Sequence, residues 1–330
     1  MKKCSLIFGI TGQDGLYLSQ YLLNKGHKVI GVSRNLDVVS TSNLKIFGII
    51  DKITLIAMDV LDLAGVCKLI ESNLPDEIYN LSGNSSVSLS ISDPRSTFEG
   101  VTLGVINILE AVRTSQREIK FFNASSSECF GQTNGEPATL NSSFYPRSPY
   151  AVSKVGAFYI VKLYRELYDI YAVSGILFNH ESPLRKQNFV TKKIVSSALR
   201  IKSGADEVLE LGNLSIRRDW GWAPEYVEAM YLMLNMKTPN DHIIATGHVQ
   251  SLKQLTMQIF NELDLDWSKY VKHQSVLERK NDPEEISGDT ELARNELGWE
   301  AKCKGDLLAN KLVEEEISYN CLRNHMASDL

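Results

Sequence analysis

The apolar run Ser5-Leu6-Ile7-Phe8 leads without a break into Gly9-Ile10-Thr11-Gly12-Gln13-Asp14-Gly15, and an amphipathic helical pattern follows through Leu23. A short buried strand, a glycine turn and a helix in that order confine the chain to a narrow set of α/β folds. In such a turn Gly9 permits the tight bend, Gly12 lets the backbone approach a pyrophosphate, and Gly15 allows close helix packing. The helix N-terminus then points its unpaired N–H groups at the anion. Gln13 and Asp14 lie inside the same turn and belong to this candidate dinucleotide seat. Glycine spacing alone marks a plain turn as readily as a site. The strand before it and the helix after it favour the site.

Strand-like and helix-like runs alternate along the rest of the chain. Lys28–Val32, Ile53–Met58, Glu77–Leu81, Phe121–Ala124 and Ala172–Phe178 read as strands, with helical patterns at Gly104–Val112 and Ala151–Tyr168 between them. This alternation predicts a doubly wound parallel sheet, Rossmann-like, with a smaller C-terminal substrate lobe. The expected division gives residues 1–180 to the dinucleotide-binding domain, with returning segments at about 215–248, and residues 181–214 and 249–330 to the lobe. A late strand over His242–Thr246 is expected to rejoin the sheet. No Pro/Gly-rich linker or repeat interrupts the series, and 330 residues with 43% hydrophobic content suffice for both parts.

Charge and special residues narrow the partners. A formal net charge of −5 gives no basic field for nucleic acid, so any anion must be held by local arginines and lysines. Lys2 and Lys3 precede only a short apolar stretch, and no apolar run reaches membrane-spanning length, which predicts a soluble cytoplasmic protein with no membrane partner. The cysteines Cys4, Cys67, Cys129, Cys303 and Cys321 are scattered and odd in number, as free thiols would be. Six histidines show no metal spacing, so no metal is expected.

Five further positions bear on chemistry. Arg34 follows the second strand, where a site preferring NAD usually places an acidic residue. Its guanidinium could hold a 2′-phosphate, which favours NADP, or be a solvated surface charge. Asp59 after the third strand could accept from an adenine amino group or cap the helix beginning near Leu61. Tyr150 and Lys154 stand one helical turn apart on one face, and an ammonium beside a phenol favours phenolate and lowers its pKa. Taken singly, they read as a core aromatic and a solvated charge. Glu128, three residues past Ser125 at the end of a predicted strand, adds a carboxylate able to move a carbon-bound proton. Such a base needs a raised pKa, which burial would supply. Out of this context it reads as an exposed loop carboxylate.

Together these residues resemble the extended short-chain dehydrogenase/reductases, and within them the GDP-mannose 4,6-dehydratase family. The likeness covers most of the chain. It rests on Gly-Ile-Thr-Gly-Gln-Asp-Gly at 9–15, Tyr-Asn-Leu at 79–81, Ser-Ser-Glu at 126–128 and Phe-Tyr-Pro-Arg-Ser-Pro-Tyr at 144–150. It continues with Ile-Leu-Phe-Asn-His-Glu-Ser-Pro at 176–183, Asn-Phe-Val-Thr-Lys-Lys-Ile at 188–194, Gly-Asn-Leu at 212–214, Arg-Asp-Trp-Gly at 218–221 and Tyr-Val-Glu-Ala-Met at 226–230. The glycine and Tyr/Lys motifs are shared by the whole superfamily. The Phe-Tyr-Pro and Asn-His-Glu-Ser-Pro strings are far more particular.

The resemblance implies a hydro-lyase converting GDP-mannose to GDP-4-keto-6-deoxymannose: oxidation at C4 by NADP⁺, loss of water across C5/C6, and hydride return to C6. Tyr150 would act at the C4 hydroxyl with Lys154 behind it, Ser126 would hydrogen-bond that oxygen, and Glu128 would take the C5 proton. For the substrate it implies Ser85 near the sugar, Asn179 and Asn188 at sugar and diphosphate contacts, and Arg218 and Arg279 at nucleotide phosphate or ribose; the chain itself offers Lys193 as a further cation for the diphosphate. Turn and surface readings of Ser85 and of these charges stand beside that one. A homo-oligomer, dimer or tetramer, is also implied. The chain departs from the family pattern at several places. Ser126 stands for a threonine, Asn35-Leu36-Asp37 for a basic loop that helps build a tetramer, and Leu184 for an arginine. Trp222 replaces a histidine, and Lys280-Asn281-Asp282 a segment contacting the nucleotide. The alternatives are therefore a dehydratase of a related sugar such as GDP-manno-heptose, a nucleotide-sugar reductase or epimerase of the superfamily, and a noncatalytic NADP-binding sensor.

Overall fold

The computed structural model describes residues 2–133, 135–278 and 281–328. In chain order the strands are β1 (Cys4–Phe8), β2 (Lys28–Ser33), β3 (Thr54–Ala57), β4 (Glu77–Asn80), β5 (Lys120–Ser126), β6 (Ala172–Leu177) and β7 (Asn179–Glu181). Then come β8 (Leu209–Leu211), β9 (Arg217–Trp222), β10 (His242–Ile244), β11 (Val249–Ser251), β12 (Val271–His273) and β13 (Glu285–Ile286). The helices are α1 (Gln13–Asn24), α2 (Val38–Ile46), α3 (Leu63–Asn73), α4 (Val87–Ser92), α5 (Pro94–Phe98) and α6 (Gly104–Thr114). They continue as α7 (Pro149–Tyr168), α8 (Val190–Lys202), α9 (Ala223–Leu234), α10 (Leu252–Asn261) and α11 (Asp306–Ser328).

Seven strands form one parallel sheet in the order β10-β6-β5-β4-β1-β2-β3. Both faces are covered, so the strands are apolar on both sides and neighbouring residues part company. Leu6, Phe8, Ile78 and Phe121 pack with Val66, Ile70, Ile108 and Val161 of α3, α6 and α7. Ile7, Tyr79 and Phe122 face the other way, against Leu16 and Leu22 of α1 and Met230 and Met233 of α9. The expected late strand does rejoin the sheet: β10 pairs in parallel with β6, His242 beside Gly175.

Strand order reverses between β1 and β4, and there the chain leaves a crevice outside the carboxyl ends of the strands. Its geometry is set by glycine. Gly9 has φ +87°, and a Cβ on it would lie 2.6 Å from the Leu81 carbonyl oxygen. On Gly15 a Cβ would fall 2.4 Å from the Gly9 oxygen and 2.7 Å from the Ile10 Cα, so α1 seats directly on the turn.

Beyond the sheet, β9 is flanked by β11 (antiparallel) and β13 (parallel), and its second half pairs with β7. A separate apolar cluster, including Ile194, Leu209, Trp220, Leu255, Phe260 and Leu312, joins α8, α10 and α11 to these short strands. Among the described residues, no helix is long and apolar enough to cross a membrane. No group of three or more His, Cys, Asp or Glu there is arranged to hold a metal ion. All five cysteines are free.

Gly15→Ala is expected to destabilise the protein by more than about 2 kcal/mol in denaturant unfolding, because the new methyl overlaps backbone that cannot yield. Gly100→Ala, where a Cβ meets nothing within 4 Å, is the control; there a gain of up to about 1 kcal/mol is expected from helix propensity.

Candidate active site

A cleft of about 520 Å³ opens at the crevice; one side is lined from the ends of β1, β4, β5 and β6 and the segments after them, and residues of β9 and around Gly212 and Leu277 add to the lining. Gly9, Gly12, Gln13, Asp14 and Gly15 all form its wall. Gly12 is the N-cap of α1 and offers no side-chain cap, which leaves the first N–H groups of a 12-residue helix for an anion. That open helix end, with the glycine-tight approach of Gly9 to Leu81, fits the diphosphate of a dinucleotide.

Gln13 and Asp14 tie this turn to the strand after β6. Gln13 Nε2 donates to the His180 carbonyl at 3.1 Å, and Ser182 Oγ donates to Gln13 Oε1 at 2.7 Å. Asp14 lies 2.9–3.0 Å from His180 Nε2. Burial works to raise the Asp14 pKa, but the charge and hydrogen bond of His180, a hydrogen bond from Gln13 and the Arg185 guanidinium overcome it and hold the group at about 2. Arg185 is itself held by Glu181, Nε to Oε2 at 3.0 Å, and lies over the Phe189 ring at 4.2 Å. His180, Glu181 and Arg185 line the cleft but were not singled out from the sequence. The only signal was their place in or beside the Asn-His-Glu-Ser-Pro string.

The four expected catalytic side chains converge on the same wall. β5 ends at Ser126, and a single turn of 3-10 helix, Ser127–Cys129, carries Glu128 where a loop was expected. Ser126 Oγ caps that turn by accepting from the Glu128 N–H at 3.3 Å. Helix α7 starts at Pro149, with Ser148 accepting from the Ala151 N–H at 3.1 Å, so Tyr150 lies in its first turn and Lys154 one turn on. Lys154 Nζ donates to the Ala124 carbonyl at 2.6 Å and sits 5.7 Å from the centre of the Tyr150 ring.

Electrostatics here correct one expectation. Lys154 was expected to lower the Tyr150 pKa, yet the phenol is raised above its ordinary value because burial outweighs the hydrogen bond with Ser126 and the opposing charge of Arg185. Burial also brings Lys154 down, to about 8. Cys129, beside Glu128, is fully buried and pushed up to about 11 by desolvation, which leaves it an inert thiol.

On the far side, Ser85, Asn179, Asn188 and Arg218 line the cleft. Arg218 is buried, with Nη2 donating to Asp282 Oδ1 and Nη1 to the Arg217 carbonyl, both at 2.8 Å. Its neighbour Asp219 points elsewhere. It is fully buried and accepts from the Thr246 N–H and hydroxyl and the Gly247 N–H, and burial nevertheless raises its pKa to about 6.

Other expected residues lie outside this wall. Lys193 Nζ donates to the Glu210 carbonyl. Asp59 is exposed and accepts from the Leu61 N–H at 3.0 Å, a local turn, while Asp62 caps α3. Arg34 is exposed just past the end of β2. Arg279 falls outside the described residues.

Comparison with known proteins agrees with this geometry. The profile of a family described as GDP-mannose 4,6 dehydratase matches residues 6–312. GDP-mannose 4,6 dehydratase 2 of Arabidopsis thaliana is 39% identical over 326 residues, 96% of this chain and 87% of that protein. Two solved structures share the fold. One is dTDP-glucose 4,6-dehydratase from Bacillus anthracis in complex with NAD (TM-score 0.83, 17% identity, 96% and 97% of the two chains). The other is RMD from Pseudomonas aeruginosa complexed with NADPH (TM-score 0.80, 20% identity, 96% and 99%). The chain belongs to the GDP-mannose 4,6-dehydratase family.

Proposed function

We propose that this protein is a hydro-lyase converting GDP-mannose to GDP-4-keto-6-deoxymannose, with NADP as its cofactor. The observation that carries the reading is the meeting of Ser126, Glu128, Tyr150 and Lys154 on one wall of the cleft whose other end is the open N-terminus of α1. Redox chemistry at an alcohol needs the Tyr/Lys pair; eliminating water needs a second base, acting on carbon.

Tyr150 takes the proton of the sugar C4 hydroxyl, while the Ser126 hydroxyl, which hydrogen-bonds the phenol, holds the same oxygen. Lys154 steadies the phenolate from behind. With C4 a ketone, the C5 hydrogen is acidic: Glu128 removes it as a proton and, as the carboxylic acid, gives that proton to the departing C6 hydroxyl, which leaves as water; after hydride return to C6, a solvent proton completes C5. When bound, the nicotinamide supplies the two-electron acceptor for C4 and donor for C6, and its positive oxidised ring favours the Tyr150 phenolate. Ser85 holds the sugar, Asn179 and Asn188 contact sugar and diphosphate, and Arg218 holds the nucleotide phosphate.

NADP rather than NAD is supported by Arg34, whose guanidinium stands exposed just past the end of β2. A homo-oligomer is supported by apolar side chains exposed along α7, Val152, Tyr159 and Leu163. Free cysteines suit a reducing cytoplasm.

Purified protein should remove one water from GDP-mannose, read by mass, with no net consumption of NADPH. If GDP-manno-heptose alone loses water, the sugar changes and the chemistry stands. Glu128→Gln is expected to slow dehydration about 100-fold or more while leaving substrate and cofactor binding nearly unchanged; undiminished exchange of the C5 hydrogen with deuterated solvent would exclude Glu128 as the base. Arg34→Ala should weaken NADPH about tenfold or more and leave NADH unaffected.

Lys154 gives a pH test. Its folded pKa of about 8 lies below an unfolded value of about 10.4. In the window between them only the unfolded chain keeps the proton, so its contribution makes stability rise with pH. Lys154→Met should therefore be more stable than the parent at pH 7, by up to about 3 kcal/mol, with the gap closing near pH ~10 in urea unfolding, and inactive throughout.

A further inference from the structure

We propose that Gln250 is a positioning residue for the nucleotide diphosphate, acting through Arg218. Gln250 is 3% exposed, and both polar atoms of its amide are buried without a hydrogen-bond partner among the described residues. Leaving such groups unsatisfied is destabilising. A second state that gives Oε1 a donor relieves part of that cost.

Register says which group can do so. In the antiparallel pair of β9 and β11, Gln250 stands directly opposite Arg218, with Val249 opposite Asp219 and Ser251 opposite Arg217. Directly opposed residues project from the same face with Cβ atoms about 5 Å apart. The pairing cannot slip, because Asp219 pins the turn entering β11 through the Thr246 and Gly247 N–H groups.

Arg218 is only partly engaged in the free protein. Of its five N–H groups, one meets the Asp282 carboxylate and one the Arg217 carbonyl. Asp282 lines the cleft beside Arg218 and repels a diphosphate. When the diphosphate arrives, it replaces Asp282 on the guanidinium, and Gln250 Oε1 accepts one of the N–H groups left over. The amide thereby fixes the plane of the fork that grips the phosphate oxygens. This step rests on the nucleotide-sugar reading given above.

The test uses the whole protein with GDP and GDP-mannose as probes. Gln250→Met keeps length and removes both polar atoms. It is expected to raise Tm, to weaken GDP in calorimetry and raise KM for GDP-mannose about tenfold, and to leave kcat within about twofold of the parent. Gln250→Glu places a competing carboxylate opposite Arg218 and should weaken GDP at least as much; it serves alone if the Met variant does not fold. A GDP Kd within about twofold of the parent in the folded variants overturns the proposal, whatever happens to Tm. If the parent binds GDP without dehydrating GDP-mannose, the activity reading falls while the GDP ratio still decides the role of Gln250. If the parent binds no nucleoside diphosphate, both fall.

Discussion

The contact between the Gly9 carbonyl and the bare Cα of Gly15 holds the rest of the site in place. Because neither residue carries a side chain there, α1 descends onto the β1 turn and Leu81 closes on it from β4. The crevice at the sheet's switch point therefore ends in backbone rather than in side chains. The wall carrying Tyr150 and Glu128 is assembled from strand ends and helix starts that the same sheet fixes. Packing on both faces of seven parallel strands thus sets the spacing of groups that never touch the core.

Charge in the cleft is governed by burial. Asp14 stays anionic because three neighbours compensate for lost solvent, whereas Tyr150 lacks enough compensation and stays a neutral phenol. Burial likewise lowers Lys154, although its ammonium donates to a backbone carbonyl. The free site therefore rests in a proton-holding state, and activation of the phenol belongs to the assembled complex.

Much of this was legible in the sequence for definite reasons. Strands buried on both faces are continuous apolar runs, and β1, β2, β5 and β6 were found to within two or three residues at either end. A residue fixed to its element's end, such as Tyr150 behind the Ser148 cap, has its direction set locally. Long side chains do not. The directions taken by Lys193 and Asp59 depend on the Glu210 carbonyl and the Leu61 N–H, partners that pattern alone cannot choose. Three-residue strands such as β7, β8 and β11 carry no readable period, so the small sheets, and with them the pairing of Gln250 with Arg218, emerged only from the folded chain.

The capped start of α7 has one further effect. Ser148 and Pro149 place Tyr150 at the second residue of a 20-residue helix, where the aligned peptide dipoles sum to roughly half a positive charge. An anion forming on that ring gains about 0.3–1 kcal/mol from the macrodipole, a steady bias toward ionisation that needs no ligand, consumes no side chain and persists through every step of the cycle.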